Sequence, residues 1–220
     1  MKQARMITHK LMAMAIALVM GSCSSDVLSD MGQESQGKHT TKMEFVGKVI
    51  GFDQQVSTNA KMQSRAASSS TSWNDGDKIY ITFYNGTNII PGEATYSSIS
   101  GWSVSYDGDL ATGSNLKCEA RYFVNATFTS SSLVSLNSNS EIYEDLNATY
   151  AYSNGSLTVT ATLSPKTGRI RLTGKAGEKI YTTGISVYTT FAPAINTFST
   201  SNAIITSTVA SNGSTPYIYG

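Results

Sequence analysis

The chain has 220 residues, 14% charged and 40% hydrophobic, with a formal net charge of +1, which is enough for one large β domain or one domain and part of another. Three basic residues, Lys2, Arg5 and Lys10, fall in the first ten positions, so the rest carries 13 basic against 15 acidic residues and offers no electrostatic footprint for nucleic acid. The two histidines, His9 and His39, lie in the leader and in a polar segment, which excludes Ser-His-Asp and Cys-His hydrolysis and ordinary zinc sites.

Residues 11–20 form an unbroken apolar run, Leu-Met-Ala-Met-Ala-Ile-Ala-Leu-Val-Met. As a helix it reaches about 15 Å, half of a hydrocarbon core of about 30 Å. Residues 1–22 therefore read as a signal peptide rather than a membrane span. The run ends in Met20-Gly21-Ser22-Cys23, which resembles a bacterial lipobox. That resemblance implies cleavage before Cys23 and addition of acyl chains to that residue, each buried CH₂ contributing about 0.8 kcal/mol of membrane affinity. Residues 23–42 are polar, too poor in apolar side chains to offset their ordering entropy, and read as a tether. With Cys23 lipidated, Cys118 has no disulfide partner and reads as a small buried apolar residue, with no histidine to activate it.

Residues 43–52 read as one strand. The polar stretch 53–65 follows, then the low-complexity run 66–72. Exposed small polar residues are where proteases cut, and a trypsin-like enzyme would cut after Arg65, leaving Ala66 as the new N-terminus. Beyond this link the chain alternates with period two. Ile79, Ile81 and Phe83 share one face, and Trp102, Val104 and Tyr106 another. Cys118, Ala120, Tyr122, Val124, Ala126 and Phe128 make a third, and Leu157, Val159, Ala161 and Leu163 a fourth. Ile170 and Leu172 alternate with Arg169 and Arg171, and residues 180–190 and 203–209 continue the series. Turns are expected at Asp75-Gly76, Asn85-Gly86, Pro91-Gly92, Asp107-Gly108, Asn154-Gly155 and Asn212-Gly213. Only residues 140–148 hint at a helical turn. Many short strands with regular turns predict an all-β sandwich or barrel.

Candidate sites are sparse. Asn74-Asp75-Gly76-Asp77 supplies closely spaced oxygens but no glutamate at the twelfth position of a calcium loop, so it reads as a turn. Asp107-Gly108-Asp109 reads the same way. Glu93, Asp107, Asp109, Glu119 and Glu144 show no spacing that sets two carboxylates across a cleft, and read as solvated charges. Trp102 with Tyr106, or Tyr150 with Tyr152, would stack on sugars if exposed, although cross-strand packing is the default. Arg169 and Arg171 share a strand face that reads as solvated. The Asn-x-Ser/Thr triplets at Asn85, Asn125, Asn147, Asn154 and Asn212 reflect composition rather than glycosylation.

Taken in order, several motifs carry a family resemblance: the lipobox at Cys23, an early strand ending at Phe52, and Arg65-Ala66 before a Ser-rich spacer. Trp73-Asn74-Asp75-Gly76-Asp77-Lys78-Ile79, the segment Arg121 to Ala126 and the segment Ser164 to Leu172 follow. The chain resembles the fimbrillin-like lipoproteins of Bacteroidetes, the subunits of type V pili, over most of residues 10–220. Each motif is short, and their order carries the weight. The resemblance implies a transthyretin-like antiparallel β-sandwich over residues 43–176. Residues 177–220 would add strands that could open a second β domain, since the chain stops at Tyr217-Ile218-Tyr219-Gly220 in what reads as mid-strand. It also implies trimming after Arg65, removal of the strand 43–52, and filling of its place by a strand of a neighbouring subunit.

The functional expectation is a pilus subunit or cell-surface adhesin anchored in the outer membrane through Cys23. It would have other subunits as partners, no cofactor, no nucleic acid and no enzymatic activity. The alternative, a surface lipoprotein that binds glycan for a neighbouring transporter, rests on exposed aromatic side chains.

Overall fold

The computed structural model describes residues 37–52, 73–130 and 133–220. The strands are β1 (Lys38–Val49), β2 (Lys78–Asn85), β3 (Asn88–Ser97), β4 (Gly101–Asp107), β5 (Gly113–Val124), β6 (Thr127–Ser130) and β7 (Leu133–Ser135). They continue as β8 (Glu141–Asp145), β9 (Thr149–Ser153), β10 (Ser156–Pro165), β11 (Arg169–Ile170), β12 (Lys179–Ala192), β13 (Thr197–Thr208) and β14 (Ile218–Tyr219). No α-helix occurs among the described residues, and the fold is all-β.

The main sheet runs β1-β4-β3-β2-β5-β8-β10, and β1 also pairs with β10, which closes it into a barrel-like ring. β8 and β9 both pair antiparallel with β5 and with β10 in nearly continuous register. They are two halves of one stave, interrupted at residues 146–148, so the ring has seven staves. A closed ring with an odd number of staves cannot alternate in direction throughout, and one neighbouring pair must be parallel. That pair is β1 with β10; the other neighbours are antiparallel.

Period-two patterning fills the ring. Ile79, Ile81, Phe83, Trp102, Val104, Tyr106, Cys118, Ala120, Leu157, Val159, Ala161 and Leu163 all turn inward into one core. Burying a side chain of this size contributes about 1.5–3 kcal/mol. Phe83 packs edge-on against Tyr150 at 5.0 Å, and Trp73 and Trp102 stand edge-to-face at 5.0 Å.

A second, four-stranded sheet, β13-β12-β7-β6, lies against the outside of the ring. Outward-facing Tyr80 of β2, Phe123 of β5 and Ile142 of β8 meet Val134, Leu136 and Phe191 there, with Tyr188 and Phe198 at the margin. β2 is therefore buried on both faces. The β12–β13 hairpin turns at Pro193–Ile195, and Asn196 completes the turn at φ 53°, a left-handed conformation that asparagine tolerates. Its side chain pins the hairpin to the ring. Arg121 donates to Asn196 Oδ1 and pairs with Glu119 at 2.8 Å, Asn196 Nδ2 donates to Glu119 at 2.9 Å, and the Tyr84 hydroxyl donates to Glu119 at 2.7 Å. Glu144 continues the network, pairing with Lys166 at 2.8 Å and with the Arg121 Nε at 3.4 Å, a charge contact without hydrogen-bond geometry. The Arg121 guanidinium lies 5.3 Å from the Phe191 ring centre and 5.6 Å from that of Phe198.

Several local expectations are revised. β1 begins at Lys38 and takes in His39, whose ring stacks on Tyr106 at 5.4 Å; the polar segment is ordered by its ladder with β4. Pro91-Gly92 is not a turn but lies within β3, where a methyl on Gly92 would come within 2.7 Å of the Phe83 ring. Residues 141–145 are strand β8, not a helical turn. The face begun at Cys118 ends at Val124, because Asn125 at φ 56° redirects the chain and sends Phe128 to the second sheet. Glu119 and Glu144 are ion-paired under the hairpin rather than solvated. Arg169 is drawn against the rings of Phe52 and Tyr217, at 5.1 and 4.4 Å, and Arg171 against Tyr217 at 5.3 Å, while Ile170 is the residue left exposed.

Candidate functional site: the closing strand and its slot

β1 is the stave that closes the ring, and its side chains alternate accordingly. Met43, Phe45, Gly47 and Val49 turn inward; Lys42, Glu44, Val46 and Lys48 turn out. Residues 38–43 pair antiparallel with β4 over Trp102 to Asp107, and residues 43–49 pair parallel with β10 over Leu157 to Leu163. Within β1 only Met43 has ladder partners on both sides. Each half of the strand is thus held along one edge.

The slot for β1 is apolar and aromatic. Phe45 stands edge-on to Trp73 at 5.6 Å and lies 5.9 Å from Trp102. Met43 and Val49 join the core with Leu157, Val159 and Leu163. Gly47 faces Ala161, where the two backbones run so close that a methyl carbon on Gly47 would fall 2.0 Å from the Ala161 carbonyl oxygen. Only glycine fits there, for reasons of space rather than dihedral angle.

Past β1 the backbone N–H of Ile50 donates to the Leu163 carbonyl at 2.8 Å, and Phe52 closes the lower end of the ring. Its ring lies 6.0 Å from Tyr143 and 5.5 Å from Tyr219. Both tyrosines donate to the buried carboxylate of Glu141, Tyr219 at 2.8 Å. Burial, and then the hydrogen bond to Glu141, hold both phenol pKa values above the ordinary range. The hydroxyls stay protonated and serve as donors. β14 is seated by this cluster and by a two-residue ladder to β11, and the backbone groups of Gly168 and Gly220 pair with each other.

Of the residues singled out in the sequence, Cys23, Arg65 and Ala66 lie outside the described residues. Trp102, Tyr106 and Tyr150 are buried inside the ring and Tyr152 half-buried, so the first three offer no face to a sugar. Asn74 to Asp77 forms a turn, with the Asn74 N–H donating to Asp77 at 2.8 Å, and Asp75 accepts from the Ser98 hydroxyl at 2.9 Å. Among the described residues no group of three or more His, Cys, Asp or Glu could hold a metal ion. Burial, aided by Asp145 and Glu119, pushes the Cys118 thiol up to about 12, far from a reactive thiolate. Sequence reading missed the Glu141–Tyr143–Tyr219 lock; the pair at i and i+2 in a strand was its only local signal.

What this arrangement does chemically is hold an extended strand, through backbone hydrogen bonds on two edges and apolar contacts in between. Comparison of the chain with protein-family models, with curated proteins and with solved structures finds no match in any of the three.

Proposed function

We propose that the chain is a lipid-anchored pilus subunit or cell-surface adhesin of the fimbrillin-like kind, which assembles by strand exchange once β1 has been removed. The observation that carries the reading is the position of β1. Among the described residues it alone joins β4 to β10. Its loss would unpair one edge of each of these strands and bare the floor of Trp102, Leu157, Val159 and Leu163. Unpaired ladder groups beside an apolar groove favour addition of a strand.

The slot dictates what can enter. A replacement strand following the path of β1 runs parallel to β10 and antiparallel to β4, is apolar at alternate positions, and is small where it passes Ala161. Read as two facing layers joined through β1 at one corner and the β8–β9 stave at the other, the ring would be the transthyretin-like sandwich, and that finer fold belongs to the same proposal. Cys23 supplies the lipid anchor in the outer membrane, and Arg65-Ala66 the processing point in the link between β1 and β2. The partners are other subunits, and neither cofactor nor catalysis enters.

Mass spectrometry of the surface protein is the test. An N-terminus at Ala66 together with SDS-resistant ladders is the expected result. A monomer that retains acylated Cys23 and β1 overturns the reading.

A further inference from the structure

The outer face of the ring carries a row of side chains linked by strand register. Ser105 of β4 faces Glu93 of β3, Glu93 faces Tyr80 of β2, and Tyr80 faces Arg121 of β5. The β12–β13 hairpin covers the Arg121 end of this row. Its turn at Pro193 and Ala194 stops over the other end and leaves a cleft of about 200 Å³. At about 30 Å³ per water molecule that is room for six or seven waters, less than the cavities that take drug-sized ligands.

Two hydroxyls in the cleft lining have no hydrogen-bond partner in the protein. Tyr80 is 2% exposed; its ring is fixed by Phe123 at 5.8 Å and Phe191 at 6.1 Å, and its buried oxygen is unpartnered. Burial, and then the neighbouring Glu93 carboxylate, hold the Tyr80 phenol pKa above its ordinary range. The Ser105 hydroxyl oxygen is also buried and unpartnered. A buried hydroxyl left unpaired costs about 1–3 kcal/mol, and a ligand that pairs it recovers much of that. The charges around the cleft are balanced. Glu93 is ion-paired with Lys78, and Lys38 faces Asp107 across the β1–β4 ladder at the rim. Pro91 and Pro193 add C–H surface to the walls.

We propose that this cleft binds one neutral sugar ring, with its hydroxyls on Tyr80, Ser105 and Glu93 and its C–H face on the prolines. A hydroxyl-rich ligand meets groups that both donate and accept, whereas an ionic ligand finds no unmatched counter-charge. Of the groups named, only Lys38 belongs to β1, but β1 also pairs with β4 at Ser105 and Asp107, so the binding test uses the chain with β1 in place.

The test is saturation-transfer NMR on the full chain, purified in a zwitterionic detergent without sugar head groups. The probes are galactose, N-acetylglucosamine, mannose and fucose at millimolar concentration, with acetate and ethylamine as ionic controls. The expected result is saturable binding of at least one sugar. Tyr80→Phe, which keeps the ring and removes only the hydroxyl, weakens that binding about fivefold, and Ala194→Trp, at the exposed hairpin turn, abolishes it. Thermal melts verify that both variants remain folded. Absence of binding by all four sugars overturns the proposal. So does binding that neither variant changes, or binding of an ionic control alone.

Discussion

Gly47→Ala is the sharpest probe of the closing strand. A methyl at this position lies 2.0 Å from the Ala161 carbonyl oxygen, whereas an ordinary carbon–oxygen contact is about 3.3 Å. β1 must therefore retreat from β10 by about 1.3 Å, enough to break the ladder hydrogen bonds beside Gly47. One or two such bonds at about 1 kcal/mol each, with partial unpacking of Phe45 and Val49, predict a loss of about 2–3 kcal/mol. For a domain of this size that lowers Tm by about 5–10 °C. Urea unfolding measures the loss, and amide exchange locates it. Protection should fall across residues 43–50 and 157–163 and stay unchanged in the β2–β3 and β3–β4 ladders. An unchanged midpoint, or a loss of protection spread evenly over the ring, refutes the reasoning.

Tyr219→Phe removes one of the two donors to the buried Glu141 carboxylate and should cost about 1–3 kcal/mol in urea unfolding; a midpoint equal to wild type refutes the lock. Burial raises the Glu119 pKa, but hydrogen bonds from Asn196, Tyr84 and Arg121 outweigh it and leave the carboxyl below its usual value. A depressed carboxyl stabilises the fold above its unfolded pKa of about 4.3 and loses that contribution as pH falls through the folded value. Proteolysis of the β12–β13 hairpin should thus accelerate on acidification below about pH 4, and Glu119→Gln should flatten the dependence. Cys118, with its thiol pushed up to about 12, should resist iodoacetamide at about pH 8 in the folded chain and react fully in denaturant; prompt labelling of the native protein counts against its burial. Phe191→Ala should cost about 3–5 kcal/mol and free the hairpin for proteolysis, since the ring sits under both Tyr80 and Arg121.

The inward faces of β2, β4 and β10 were legible because period two is a local property. Ile79, Ile81 and Phe83, or Leu157, Val159, Ala161 and Leu163, announce their faces without reference to a partner. Ring closure was not legible. The register of Met43 with Leu157 links residues far apart in sequence, and nothing in either strand names the other. The same holds for the network under the hairpin, where Asn196 meets Arg121 and Glu119 across the chain. Pro91-Gly92 misled because the pair marks turns in general, whereas here glycine is set by the approach of Phe83. The arginines of β11 misled because charge suggests water, yet the aromatic rings of Phe52 and Tyr217 lay elsewhere in the sequence.

The parallel pairing that completes the ring also sets an order of events in folding. β2–β3 and β3–β4 form successive hairpins and β5 returns to pair with β2, while β1 gains its β10 partner only after β10 exists. Entropy charges such a distant closure more heavily than any hairpin turn. The seam between β1 and β10 is therefore the last of the ring to close, and a barrel still waiting for it already has most of its walls standing.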